Sequence, residues 1–111
     1  SRRVGERLQE RRFERLSIRL SADMLNRLSS YTRQTGASSE SAAVQFILLS
    51  FLNQPDRYPN TEAKELHCQQ DRRTTFSLSR QGIARLEQHA RQRGISRTEC
   101  LRLAMYYALY I

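Results

Sequence analysis

Arg15-Leu16-Ser17-Ile18-Arg19-Leu20-Ser21 alternates polar and apolar residues, and Arg73-Thr74-Thr75-Phe76-Ser77-Leu78-Ser79 repeats the alternation, weakened at Thr74. A period of two is that of a strand with one buried face. It sends Leu16, Ile18 and Leu20 inward in one strand and Phe76 and Leu78 inward in the other. Arg15, Ser17, Arg19, Arg73, Thr75 and Ser77 are then left facing outward. Each stretch opens one copy of an internal repeat. Residues 15–53 and 73–111 align without a gap at a constant offset of 58, as from Ser17 to Thr75. The identical pairs are Arg15/Arg73, Leu20/Leu78, Ser21/Ser79, Arg27/Arg85, Leu28/Leu86, Arg33/Arg91, Gln34/Gln92, Gly36/Gly94 and Ser38/Ser96. Ordinary composition gives roughly three such matches over this length. The two halves should therefore fold alike and pack as a pseudo-symmetric pair.

Outward from each strand the pattern changes to that of helices. Ser21 and Ser79 stand where a helix N-cap is needed, followed by the apolar stripes Leu25, Leu28, Tyr31 and Ile83, Leu86, Ala90. Gly36 and Gly94 end these helices in the left-handed conformation that glycine tolerates. A second helix is expected to start at Ser38 and at Ser96, where Ser96-Arg97-Thr98-Glu99 has the spacing of a capping box. Ser38-Ser39-Glu40-Ser41 lacks the acid at its third following position. Beyond Glu40 the helix 42–52 carries no charge, so its flanks are expected to be buried by the other half or by another chain.

Residues 1–14, charged and mixed in sign, form a basic leader: a flexible or partly helical segment, or an arm touching a nucleic-acid backbone. Residues 54–72 read as a linker, with Pro55, Pro59 and Asn60 near its start. At about 3.3 Å per extended residue it spans roughly 60 Å, enough to return the chain to the start of a second strand. Repeat 1 is thus 15–53 and repeat 2 is 73–111, with 15–111 expected to form one pseudo-twofold domain. Each half alone is near the lower size limit for independent stability, so a shared core is the economical arrangement.

The chain has 111 residues and a formal net charge of +8, which points to a polyanion, either nucleic acid or an acidic membrane surface. Lys64 is the only lysine. Arginine grips phosphate or guanine bidentately, and GC-rich coding produces the same bias; the two explanations weigh equally here. No uncharged apolar run approaches the roughly 20 residues of a membrane span, and no signal-peptide pattern opens the chain, so a soluble cytoplasmic protein is expected. The chain starts without methionine and stops within an apolar helix, so further sequence is expected beyond it.

Cys100 lies at the repeat position of Ala42 and reads as a small buried residue; Cys68 stands in an unlike context. His67-Cys68 is too short a cluster for a metal site, and His89 reads as a half-buried helix residue. No nucleophile and base pair, phosphate-binding glycine loop or metal cluster is present in the sequence. No enzymatic activity, cofactor or metal is therefore expected.

The order strand, helix, glycine turn, helix, together with Gly94-Ile95-Ser96-Arg97-Thr98-Glu99-Cys100-Leu101-Arg102, resembles the ribbon-helix-helix family of the MetJ/Arc/CopG class. That resemblance implies a mainly helical fold with a two-stranded antiparallel ribbon. In the family two subunits each contribute one strand; here both strands lie in one chain, which resembles the tandem arrangement of TraY-type relaxosome proteins. It implies sequence-specific binding of double-stranded DNA with the ribbon in the major groove. The six outward ribbon residues would read bases. The second-helix starts, Ser38, Ser39, Ser96, Arg97 and Thr98, would contact phosphates, because the unpaired N-H groups there favour an anion. The role would be that of a conjugative-transfer accessory factor, with a relaxase as partner, or of a transcriptional regulator, with cooperative assembly along DNA open to either. The alternative from a different class is an antitoxin-like protein-interaction module.

Overall fold

The computed structural model describes residues 12–54 and 72–110. Six elements follow in order: β1 (Phe13–Leu20), α1 (Ala22–Thr35), α2 (Glu40–Asn53), β2 (Arg72–Ser79), α3 (Arg80–Arg93) and α4 (Arg97–Tyr110). The fold is mainly helical, with one two-stranded antiparallel sheet. β1 begins two residues earlier than the alternation indicates. Glu14 has the inward parity of Leu16 but is exposed, and it pairs with Leu78 at the end of the ribbon. A polar residue there hides the strand from a periodicity reading.

The register pairs Arg15 with Ser77, Ser17 with Thr75 and Arg19 with Arg73. Ser17 and Thr75 are repeat-equivalent residues and face each other, so the pairing is symmetric about them. Leu16, Ile18, Leu20, Phe76 and Leu78 are all buried under the helices. They join Met24 and Leu28 of α1, Ile83, Leu86 and Ala90 of α3, and the inner faces of α2 and α4 in one continuous core. Each first helix contacts both second helices. Neither half has a core of its own.

The N-caps follow the sequence at the first helices: Ser21 Oγ accepts from the Met24 N-H at 3.1 Å and Ser79 Oγ from the Gly82 N-H at 3.0 Å. Gly36 and Gly94 both adopt φ of 71°. At the second helices the expectation is only half right. Ser96 caps α4, accepting from the Glu99 N-H at 3.2 Å, but α2 is capped by Ser39, which accepts from the Ala42 N-H at 3.0 Å, and not by Ser38.

The turn after Gly36 is therefore one residue longer than the turn after Gly94, and the offset between halves falls to 57, as from the Ser39 cap to the Ser96 cap. The gapless alignment ends at the glycines. Beyond them only Ser38/Ser96 matched, so strand and first helix had carried the register for the whole repeat. In the corrected register Cys100 answers to Ala43, both buried, and not to Ala42, which is exposed. Burial pushes the Cys100 thiol up to about 11.

Beyond Glu40, α2 carries no charge, yet it is not buried all round. Ala43, Val44, Ile47, Leu48 and Phe51 face the core, while Phe46 is 61% exposed and Leu49 37%. Lack of charge thus marked an apolar helix, not an enclosed one. No helix among the described residues is long and apolar enough to cross a membrane. The leader up to residue 11, most of the linker, His67 and Cys68 lie outside the described residues.

Candidate nucleic-acid interface

One face of the ribbon covers the core, and the other meets solvent. Arg15, Ser17, Arg19, Arg73, Thr75 and Ser77 are all exposed and form the three successive cross-strand pairs of that free face. At the centre Ser17 Oγ and Thr75 Oγ1 share a hydrogen bond of 3.1 Å. Toward one end Arg15 opposes Ser77; toward the other Arg19 opposes Arg73. Two like charges directly across an antiparallel pair repel, so the Arg19-Arg73 pair is a place where an anion is favoured. An eight-residue ribbon is about 27 Å long, with strands about 4.8 Å apart, a body that fits a major groove about 12 Å wide.

The second helices start beside the two ends of this face. α2 covers the free edge of β2: Ser41 Oγ accepts from the Ser77 N-H at 2.9 Å, and Gln45 Oε1 accepts from the Ser79 N-H at 3.0 Å. Gln45 Nε2 also donates to Ser79 Oγ at 2.9 Å. Every group in this cluster is neutral. α4 touches β1 more lightly: Arg102 stands at the repeat position of Gln45, and its Nη1 donates to the Arg19 carbonyl at 3.4 Å.

Of the five residues expected at the helix starts, Ser39 and Ser96 use their hydroxyls as caps, which leaves other first-turn N-H groups of α2 and α4 without intrahelical acceptors. Ser38 is exposed in the lengthened turn and does not cap. Thr98 lies close to the ribbon, its hydroxyl 3.2 Å from Ser96 Oγ. Arg97 turns toward α3 and pairs with Glu87 at 2.6 Å; both are well exposed, and such a pair contributes about 0–1 kcal/mol.

Arg102 was not among the residues expected at the interface. Its signal was visible as a charge within the core stripe of the second repeat, where the first repeat has none.

Residues 72–109 match the family model of the ribbon-helix-helix protein, copG family. The match spans β2, α3 and nearly all of α4, and it supports the ribbon-helix-helix superfamily. The first half shows the same order of strand and two helices outside that match. No curated protein and no solved structure matches the chain significantly.

Proposed function

We propose that this chain is a DNA-binding protein that places its β-ribbon in the major groove of a duplex. The observation that carries the reading is the free ribbon face, whose six outward side chains are arginine, serine and threonine in three paired rows. Arginine suits guanine O6 and N7, and the hydroxyls and the threonine methyl suit several base edges. The similarity of residues 72–109 to the CopG family favours the same reading. Symmetric pairing about Ser17 and Thr75, with one shared core, supports a single-chain pseudo-dimer that does the work of two subunits.

Because the ends of the face differ, the proposed target is non-palindromic. Ser39, Ser96 and Thr98 at the helix starts hold the flanking phosphates, with Ser38 and Arg97 at their margin. The biological role is that of a relaxosome accessory factor or a transcriptional regulator.

One observation favours a second reading as a protein-interaction module: Phe46 and Leu49 stand exposed on α2, which carries no charge beyond Glu40. Binding to a duplex enriched from a randomised pool, measured across a salt series, separates the two. A DNA binder making about six phosphate contacts gives a log-log slope near −5. No duplex enrichment, or a flat slope, favours the interaction module.

A further inference from the structure

Two open clefts of similar size flank the ribbon, one at each end. The cleft beside β2 and α2, about 430 Å³, is lined by Phe13, Ser39, Ser41, Ala42, Gln45 and Ser77, none of them charged. The cleft beside β1 and α4, about 410 Å³, is lined by Ser17, Ile18, Arg19, Arg73, Thr98 and Arg102. In the corrected register Thr98 answers to Ser41, Arg102 to Gln45 and Arg19 to Ser77. Three arginines thus line one cleft and none lines the other, where Arg15, the repeat equivalent of Arg73, stands opposite Ser77 outside the lining.

Arg102 is the unusual member. It is only 9% exposed, its one hydrogen bond among the described residues is the long one to the Arg19 carbonyl, and its Nε is buried with no acceptor among them. No carboxylate among the described residues lies within ion-pair distance of it; Glu99, one turn earlier, acts only at longer range. A buried guanidinium without a counter-ion is costly, and α2 carries the neutral Gln45 at the equivalent position. Two further arginines opposite each other on the rim of the same cleft add repulsion that an anion relieves.

We infer that the cleft formed by Arg19, Arg73, Thr98 and Arg102 is a phosphate site, and that it anchors one end of the ribbon more firmly than the other. Resting on the DNA-binding reading, the phosphate is a backbone diester at one flank of the target. Arg102 supplies the charge and Thr98 its hydroxyl, while Arg19 and Arg73, the proposed base readers, line the rim and add positive potential. The neutral cleft at the other end is lined by no charged side chain and offers no such ionic anchor.

The test has two arms, both on the full chain. In the first, inorganic phosphate is titrated without DNA while the arginine Nε-Hε and Thr98 amide resonances are followed; a saturable shift of Arg102 that disappears in Arg102→Gln is expected. In the second, the enriched duplex is titrated with wild type and variant. Arg102→Gln is expected to weaken binding by on the order of tenfold and to reduce the salt slope by about 0.9, the loss of one phosphate.

Loss of the phosphate response with an unchanged slope assigns the cleft to free phosphate and still supports the site. No saturable response in the wild type, together with equal slopes, overturns the proposal while leaving DNA binding itself intact. Failure of duplex binding with a retained phosphate response removes the DNA source alone. Should Arg102→Gln not fold, Arg102→Met supplies the same comparison, since an apolar replacement of a buried ion is commonly tolerated.

Discussion

The two ends of the ribbon are built on one plan and filled with opposite chemistry. At the β2 end Ser41 and Gln45 accept from the Ser77 and Ser79 N-H groups of the strand edge, and Gly82 makes room for this. A Cβ there would lie 2.8 Å from Ser79 Oγ and 3.3 Å from Gln45 Nε2. At the β1 end the repeat equivalent of Gly82 is Met24, a core residue, and the equivalent of Gln45 is a buried arginine with an orphan Nε. On the proposed single-chain pseudo-dimer reading, the contrast teaches that two halves of one chain are free to keep a neutral hydrogen-bonded network at one end and hold unpaired charge at the other. Two identical subunits would have to carry the same choice twice.

The comparison breaks most visibly if the halves do not share a core. Leu28 and Leu86 are repeat equivalents and both fully buried, so Leu28→Ala and Leu86→Ala should each destabilise the whole chain by about 2–5 kcal/mol. Both variants should unfold in one transition in denaturant; a biphasic curve in which one half melts alone would refute the single core. Next in size is the ribbon face. Arg19→Ala is expected to cost about 1–3 kcal/mol of duplex affinity and to relax specificity, whereas Ser77→Ala at the equivalent place costs far less. Equal losses would refute the inequality of the ends. Arg57, in the linker and outside the described residues, provides a control, and Arg57→Ala should change specificity less than Arg19→Ala.

A smaller effect sharpens the contrast in stability. Gln45→Leu leaves the Ser79 N-H without its acceptor and should cost about 1–3 kcal/mol, while Arg102→Met should be neutral or stabilising in thermal unfolding. The smallest effect concerns the contact between the start of α1 and the end of α4. Tyr110 donates to Asp23 Oδ2 at 2.6 Å, Arg27 donates to the same oxygen at 3.1 Å, and the Arg27 guanidinium lies 4.0 Å above the Tyr110 ring. The tyrosine hydroxyl and then the guanidinium hold the Asp23 carboxyl below its ordinary value of 3.8. Its contribution to stability is therefore present above that value and lost as pH falls below it. Asp23→Asn should lower stability slightly at pH 7 and leave it unchanged near pH 2; a difference that persists in acid would contradict the assignment. α3 has Gln81 in the place of Asp23, so no matching acid sensitivity arises there.

Much of this architecture was legible in the residues. Alternation around Leu16, Ile18 and Leu20 and around Phe76 and Leu78 identified both strands and sorted their faces, because a buried face leaves a period of two. The glycines and the Ser21 and Ser79 caps were readable for an equally local reason. The extra residue between Gly36 and Ser39 was not, since Ser38 and Ser39 are interchangeable as caps by type and only the packing of α2 selects one. The exposure of Phe46 was also hidden: a charge-free helix has no periodic signal to separate its buried stripe from its outer face. On the candidate face the six ribbon residues were readable by parity, but Arg102 required knowing that α4 brings its side chain to the Arg19 carbonyl.

The most direct measurement of the central claim is enrichment of duplexes from a randomised pool, followed by footprinting of the best sequence at known stoichiometry. A non-palindromic site occupied by one chain, with guanine contacts concentrated at the Arg19 and Arg73 end, is the result predicted. A perfect palindrome bound by one chain, with equal protection of both halves, would contradict it.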